Sequence, residues 1–519
     1  MSKPRPRRLT ACVGAAFLAA AILVLSVQAA SAGALSLPKG RYLAGAATRS
    51  INPEPDGTFA GKPVYLGGYG IGGGSPVLNG RPATGILGDG ISVRAFAVSD
   101  GQHAFAIADI ETQGWFVAVK NGPYGLLDMR KQVEQRTGGA LSAEDVVIQS
   151  DHSHSGPDPM GVWGGIPDEY MRYIADRTIE AIVDAYSSMR PVRLYYGTAP
   201  ARDLLSNQFD YDQANEVVDS DVRVLQARGN GPPITLLNFS AHATVLGSSN
   251  TKVSGDWVQA ANPLLQQRFG GKAVTIVGTL GRTQPADRSC SDPTAVDADA
   301  QNLCKIDDYA ARVVDRAAQA VANAQPVDGN PIVAARSYFV QDVSSNALIL
   351  GLEYGGSAAG VPLDRAETPP WLTGAVLGTV TASARIGDVL LSSGPGEMYP
   401  QIPLKIAATV PARGYMTAGL ANDQLGYLIA PFEAYPEPVR RSFFNQRGDE
   451  VSPLDNDNYF FNVSHTMGER VTCSLLRGAG EIFGQGLAYW NQYERCPVFV
   501  NDAALPDGED TQLPSGGTG

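Results

Sequence analysis

The stretch Asp145-Val146-Val147-Ile148-Gln149-Ser150-Asp151-His152-Ser153-His154-Ser155-Gly156-Pro157 is an apolar run that ends on two histidines and a turn. A short apolar run bounded by turn formers reads as a buried strand, here Asp145–Gln149. In an extended backbone, residues two apart share a face, so His152 and His154 are expected to reach one cavity while Asp151 and Ser153 face elsewhere. The turn places them at the end of the strand, where α/β proteins put their chemistry.

Working outward, similar runs occur at Ile91–Val98, Ala104–Ile110, Val192–Tyr196, Ile234–Phe239, Ala273–Val277 and Val389–Ser392. Helical spacing appears at Tyr124–Arg136, Asp168–Met189, Trp257–Phe269 and Ile306–Ala324. Strands alternating with helices predict an α/β fold with mixed buried sheets flanked by helices. No linker divides residues 33–505, which are expected to form one large domain. The segment Asn422–Asn458, rich in Pro, Asp, Asn and aromatics, reads as long loops, and residues 506–519 as a flexible tail.

The composition bounds the function. At 519 residues, 44% hydrophobic and 18% charged, the chain can bury a large core, which excludes wholesale disorder. Its 58 glycines and 35 prolines follow no period, so the chain is loop-rich and neither a collagen nor a repeat array. A net charge of −12 offers no basic stripe for a phosphate backbone, and no nucleic-acid partner is expected. Residues 1–32 combine Arg5, Arg7 and Arg8, an apolar run from Val13 to Val27, and Ala30-Ser31-Ala32. This is the pattern of a signal peptide cleaved after Ala32, and it predicts a secreted or extracytoplasmic protein. Cys12 leaves with that leader. The other four cysteines suit two disulfides, the local pairs Cys290–Cys304 and Cys473–Cys496 being the most economical of three connectivities.

The sequence holds five histidines. His242 lies at the end of the apolar run Ile234–Phe239 and precedes a polar loop to Ser254-Gly255-Asp256. With His152 and His154, three histidines therefore sit at ends of predicted buried strands. Imidazole is the commonest neutral zinc ligand, and a catalytic zinc needs two or three protein ligands and an open position. His103 follows Asp100-Gly101-Gln102 in a turn and is expected to face solvent; His465 carries no interpretable signal. Gly68-Tyr69-Gly70-Ile71-Gly72-Gly73 satisfies GxGxxG, but Ser75, Pro76, Gly80 and Pro82 follow instead of a helix. It reads as a glycine loop near a site, not a dinucleotide cradle.

At these residues the chain resembles the catalytic domain of the neutral (non-lysosomal) ceramidases. Gln149 to Pro157 resembles that family's THTHSGP string. Leu66-Gly67-Gly68-Tyr69-Gly70 resembles its glycine loop, and Ser92-Val93-Arg94-Ala95-Phe96 its RARAF strand. Ala241-His242 with Ser254-Gly255-Asp256 resembles its histidine and SGD pair, Gly394-Pro395-Gly396-Glu397 its PGE motif, and Ala421 to Tyr427 its SNxYxxY stretch. These matches run in the family's order from Gly67 to Tyr427.

The resemblance implies one Zn²⁺ per chain held by His152, His242, Glu397 and Tyr427. It implies an amidohydrolase in which a zinc-activated water cleaves the linear amide of N-acyl-sphingosine or a related N-acyl amine. His154 is then expected to stand beside the metal as proton carrier, and Asp256 to orient an imidazole. Such a lipid-like substrate is compatible with peripheral membrane contact and a place in sphingolipid metabolism. An esterase or other hydrolase on the same scaffold is the near alternative, and a metal-retaining secreted binding protein the distant one.

Two departures stand out. The family's GDxSPN segment, whose serine is assigned as nucleophile, corresponds to Gly281-Arg282-Thr283-Gln284-Pro285-Ala286. Gln284 takes the serine position, and its amide nitrogen is not nucleophilic, leaving Thr283 as the nearest hydroxyl. With 92 residues after Tyr427, the single large domain is also expected to stand without the family's usual C-terminal immunoglobulin-like domain.

Overall fold

Strands buried on both faces dictate a layered architecture. The computed structural model describes residues 37–69, 80–119, 122–207, 217–281, 283–327, 332–344, 363–364, 375–429 and 467–485. Among them nine strands form one sheet. In chain order its main strands are β1 (Tyr42–Ser50), β2 (Ser92–Ser99), β3 (Ala104–Ile110), β4 (Val146–Ser150), β5 (Arg190–Pro200), β6 (Asp221–Gly229), β7 (Gly231–Phe239) and β8 (Lys272–Val277). The spatial order is β8-β7-β6-β5-β1-β2-β3-β4, with the short strand Gln325–Pro326 beside β5. The edge pairs β7–β8 and β3–β4 are parallel, and the interior pairs are antiparallel.

A second sheet has β9 (Val333–Ser344), β10 (Leu363–Asp364), β11 (Ala375–Ile386), β12 (Val389–Ser393) and β13 (Gly414–Ala418). Its order is β9-β11-β12-β13, with β10 beside β11, and β12–β13 is again parallel.

The period of two in the sequence becomes two buried faces. Along β2, Val93, Ala95 and Ala97 pack beneath helices α1 (Leu126–Arg136) and α2 (Asp168–Ser187). The alternate residues, Phe96 and Val98, meet Ala382, Ala384, Leu391 and Met416 of the second sheet. Helices α3 (Asp256–Phe269) and α4 (Ala298–Asn323) cover the rest of the first face, packing on Val222, Val224, Leu237 and Phe239. Helices α5 (Gln401–Thr409) and α6 (Met467–Ile482) cover the outer face of the second sheet through Ile402, Ile406, Val471 and Leu475. The result is helix, sheet, sheet, helix. Each fully buried Leu, Ile, Val or Phe in these layers contributes roughly 1.5–3 kcal/mol.

This is the mixed α/β fold that the alternation predicts, and the predicted strands and helices are present at their expected places. One helix differs. It begins at Ala298, two turns before Ile306, because Asp297 accepts a hydrogen bond from the Ala300 amide at 2.8 Å and caps it there. None of residues 298–305 is fully buried, so those turns carry no clear apolar period to read. The predicted disulfide Cys290–Cys304 is formed and ties the start of this helix to the preceding loop. Cys473 is also disulfide-bonded; its expected partner Cys496 lies outside the described residues. So do the leader, the tail, His465, Arg282, Gly70–Gly73 and most of Asn422–Asn458.

Candidate active site

Three parallel strand pairs send their carboxyl ends to one place. The β3–β4 edge delivers Gln113, His152 and His154; β7–β8 delivers His242 and Thr283; β12–β13 delivers Glu397 and the segment to Tyr427. Gln149 stitches them together, its amide donating to the Val277 carbonyl at 2.5 Å and the Gly419 carbonyl at 2.8 Å. A crevice outside the carboxyl ends of parallel strands is where open α/β sheets hold ligands.

The three imidazoles converge. His152 Nε2 lies 3.3 Å from His154 Nε2, and the ring centroids of His152 and His242 are 5.3 Å apart. Strand alternation does not produce this convergence as expected, because β4 stops at Ser150 and His152 has φ of 61°. A left-handed turn at His152 swings its ring toward His154. Of the five non-glycine residues with positive φ among those described, four (His152, Asp256, Leu420 and Asn422) surround this cleft. Strain of this kind persists where surrounding structure over-determines it, commonly at functional sites.

Two of the rings are oriented from behind. His152 Nδ1 meets the Gln113 carbonyl at 2.7 Å, and His242 Nδ1 meets the Thr283 carbonyl at 2.6 Å. A carbonyl only accepts, so each Nδ1 carries the proton and each Nε2 presents a lone pair to the cleft. Glu397 faces those lone pairs, with Oε2 3.0 Å from His242 Nε2 and Oε1 3.4 Å from His152 Nε2. Burial raises the Glu397 carboxyl, whereas positive charge at His152 and His242 lowers it and, where present, holds it well below the ordinary carboxylate range. Glu397 pairs with Tyr427 in a short parallel ladder, so the two side chains leave on the same side. Together, two imidazole lone pairs and a carboxylate fit a cation: acceptors meeting acceptors at these distances require positive charge between them. His152, His154 and His242 form a buried group able to hold a metal ion.

His154 is held differently. Its Nδ1 is buried without a hydrogen-bond partner. Its ring stands edge-on to Tyr69, with centroids 4.8 Å apart, and its backbone carbonyl accepts from Arg81. Burial, followed by His152 and His242, drives its pKa well below the usual histidine value, so it is neutral at pH 7. The glycine loop makes room for it: Gly68, at φ +86°, would place a β-carbon 2.3 Å from His154 Cγ.

Three of the residues expected at the chemistry stand behind it. The Asp256 carboxylate touches no imidazole. It accepts from the amides of Val245 (3.0 Å), Leu246 (2.8 Å) and Trp257 (2.8 Å), and so pins the loop that follows His242. Only the Trp257 amide belongs to the start of α3; the other two come from the loop after His242. Burial raises its pKa to about 6 against the pull of those amides. The Thr283 hydroxyl donates to the Thr279 carbonyl at 2.9 Å, and its contribution to the cleft is its own carbonyl. Gln284 Oε1 accepts from Thr244 Oγ1 at 2.6 Å and from Arg288 at 2.9 Å. Arg94 lies near Glu111, 3.8 Å away, on the back side of the strand ends. His103, as expected, is exposed.

Sequence reading missed Gln113, Tyr69, Arg81 and Thr244. Gln113 acts on His152 through its backbone, for which no side-chain signal exists. Thr244, two residues beyond His242, was open to the same face argument that paired the other histidines.

The two-sheet α/β sandwich is a fold found in other solved structures. No family model matches the chain, and no curated protein matches it. Among solved structures it is similar to one described as ceramidase complexed with C2, with a TM-score of 0.63 and 16% identity over 86% of this chain and 76% of that one. It is equally similar to the crystal structure of neutral ceramidase from Pseudomonas aeruginosa, with a TM-score of 0.64 and 16% identity over 86% and 75% of the two chains. The chain thus has the fold of the neutral ceramidases.

Proposed function

We propose that the protein is a zinc-dependent hydrolase of linear amides, acting on N-acyl-sphingosine or a related N-acyl amine. The observation that carries this reading is the pair of Nδ1 contacts at 2.7 Å and 2.6 Å, which leave two imidazole lone pairs facing the Glu397 carboxylate. His152, His242, Glu397 and Tyr427 would hold the ion. Zinc bound there supplies an acidified water and polarises a carbonyl.

The chain's own residues do the rest. His154, neutral and with Nε2 facing the other two imidazoles, accepts a proton at that atom and returns it to the leaving amine. Asp256 and Trp257 hold His242 in place, Trp257 by donating its indole N–H to the His242 carbonyl at 3.1 Å. A covalent route through a hydroxyl finds no support, since Gln284 occupies the family's serine position and the Thr283 hydroxyl is bonded elsewhere. The shared fold with structures titled ceramidase supports the substrate class.

This hydrolase acts outside the cytoplasm, exported through residues 1–32, with residues 33–505 as one catalytic domain and 506–519 as a tail. The Cys290–Cys304 disulfide supports export, because such bonds persist in oxidising compartments. Among the described residues no helix is long and apolar enough to cross a membrane.

The test is fatty-acid release from N-acyl-sphingosine by the exported form, before and after chelation and zinc restoration. Turnover lost on chelation and restored by zinc supports the reading. Zinc-loaded, folded protein that releases no fatty acid sinks this substrate; turnover on esters instead identifies an esterase, and ligand capture without turnover a binding protein.

A further inference from the structure

Arg94 belongs to the sequence resemblance, yet it has no task at the histidine centre. It lines a second cavity of about 590 Å³, which opens where the ends of β1 and β3 and the start of β2 meet α3 and α4. None of the three histidines lines it, and its volume falls within the roughly 300–1,000 Å³ typical of small-molecule sites.

The arginine there is underfed. A guanidinium carries five N–H donors and no acceptor. The Arg94 side chain is 12% exposed, and among the described residues its one hydrogen bond runs from Nη1 to Thr48 Oγ1 at 3.4 Å. Nε is buried and donates to nothing, since Glu111 Oε1 is 3.8 Å away. Nη2 is also without a partner but keeps accessible surface, which places it on the cavity that Arg94 lines. The acids beside it do not fully cancel its charge. Burial, then Glu111, raises Asp109, the residue paired with Arg94 across β2 and β3, well above the usual carboxylate range. Burial also raises Glu111 to about 7, against the pull of Arg94 and Ser92. A buried cation without a bonded anion is costly to keep, and an oxygen acceptor in the cavity removes that cost.

The lining sets the class of acceptor. Arg94 is the only cation among the lining residues, and the exposed Asp89 and Asp307 share the cavity with it, so a single negative charge is favoured over a phosphate or sulfate dianion. The side formed by α3 and α4 is apolar, with Leu264 and Leu303 half-buried against the core. A planar carboxylate matches the guanidinium fork bidentately, and a hydrocarbon chain matches the leucines.

We propose that this cavity binds a monoanionic carboxylate carrying a hydrocarbon chain, its head on Arg94 and Thr48 and its chain along Leu264 and Leu303. The inference stands apart from the amide-hydrolase reading, although hydrolysis of an N-acyl amine releases an acid of this class.

The probe is octanoate, titrated by calorimetry into the exported form of the wild type, Arg94→Gln and Leu264→Trp, with and without added zinc. The expected result is one octanoate per chain in either condition, with Kd at least about tenfold weaker in both variants. Leu264→Trp fills the cavity from a half-buried position and keeps the test decisive if Arg94→Gln does not fold; its melting temperature should match the wild type. Wild type that binds no octanoate overturns the inference, as does binding unchanged in Leu264→Trp. Binding that requires zinc assigns the carboxylate to the histidine centre instead and overturns it too. Inorganic phosphate or octan-1-ol bound as tightly as octanoate overturns the ligand class.

Discussion

Gly68 and His154 are in contact so close that the glycine has no substitute: a β-carbon at Gly68 would lie 2.3 Å from His154 Cγ and 2.6 Å from Nδ1. The backbone there is left-handed as well, so a side chain would be strained whatever the space. Gly68→Ala is therefore expected to displace the imidazole while leaving His152, His242 and Glu397 in place. Misplacing a catalytic group by an ångström costs on the order of 100-fold in rate. The expected outcome is a fall in kcat of about that size with zinc content unchanged, measured by steady-state kinetics and elemental analysis. Loss of zinc in this variant would show that His154 belongs to the ligand set.

The three histidines separate by how their Nδ1 atoms are held. His152 and His242 rest on the carbonyls of Gln113 and Thr283, whereas His154 Nδ1 has no partner. Ligating histidines usually donate their second N–H to a carbonyl or carboxylate. His152→Ala and His242→Ala should each lose stoichiometric zinc, and His154→Ala should retain it while losing roughly 10²–10⁴ in kcat. Metal content by mass spectrometry on the three variants decides between them.

Asp256 acts on stability more than on chemistry. Its carboxylate accepts three amide donors while fully buried, at φ 54°. Asp256→Ala leaves those amides without acceptors and places alanine in a left-handed conformation, a change of about 2–5 kcal/mol. Asp256→Asn tolerates the backbone and keeps one acceptor, so it should be much milder. Urea unfolding of both variants measures the difference; equal losses would mean the charge itself is what matters.

Local periodicity made the α/β class and the ends of β4 and β7 legible, because a buried strand and its terminal histidines sit within a dozen residues. The strands β1, β6, β9, β11 and β13 escaped notice. In β11, Gly378, Thr379, Thr381 and Ser383 interrupt the apolar pattern, although the last three are buried and bonded in the core. Helix α6 hid for the same reason, since Gly478, Gly480, Thr472 and Ser474 lie among its buried positions. At the site, His152 and His154 declared themselves by proximity in sequence. The backbone carbonyls of Gln113 and Thr283, and the contact of Arg288 with Gln284, depend on tertiary packing that leaves no local trace. Asp256 was recognised as significant but its partners were not, because only the folded loop brings the amides of Val245 and Leu246 to it.

The Cys290–Cys304 bridge spans 14 residues and closes the loop that contains Asp292 and Asp297, directly after Arg288. Closing a loop of that size removes about 3 kcal/mol of unfolded-state entropy. The double variant Cys290→Ser with Cys304→Ser should lose about that much in chemical denaturation. Asp287 remains paired with Arg312 at 2.7 Å, so the loop keeps one anchor and activity should fall less than stability. A variant that unfolds at the wild-type urea midpoint would show that the bridge contributes nothing to stability.

Asp423 sets a pH dependence that one substitution isolates. Burial pushes its pKa up to about 7, against the pull of the Val117 and Gln424 amides and the Thr379 hydroxyl. Its unfolded value is near 4, so between those limits the unfolded chain has released a proton that the native state keeps. The stabilisation is complete below pH 4, declines as pH rises and is lost above about 7. Asn at this position keeps Oδ1 for the two amides and turns its nitrogen toward Thr379, whose hydroxyl rotates to accept. It carries no charge to bury. Glu111, raised by burial to about 7, and Glu397, held low beside its histidines, remain in both proteins and cancel in the comparison. The stability of Asp423→Asn relative to wild type should therefore increase from pH 4 to 7 by about 3–4 kcal/mol and then level off. Urea unfolding of the two proteins at pH 4.5, 6 and 8 measures it, and a difference independent of pH would mean that Asp423 is ionised throughout.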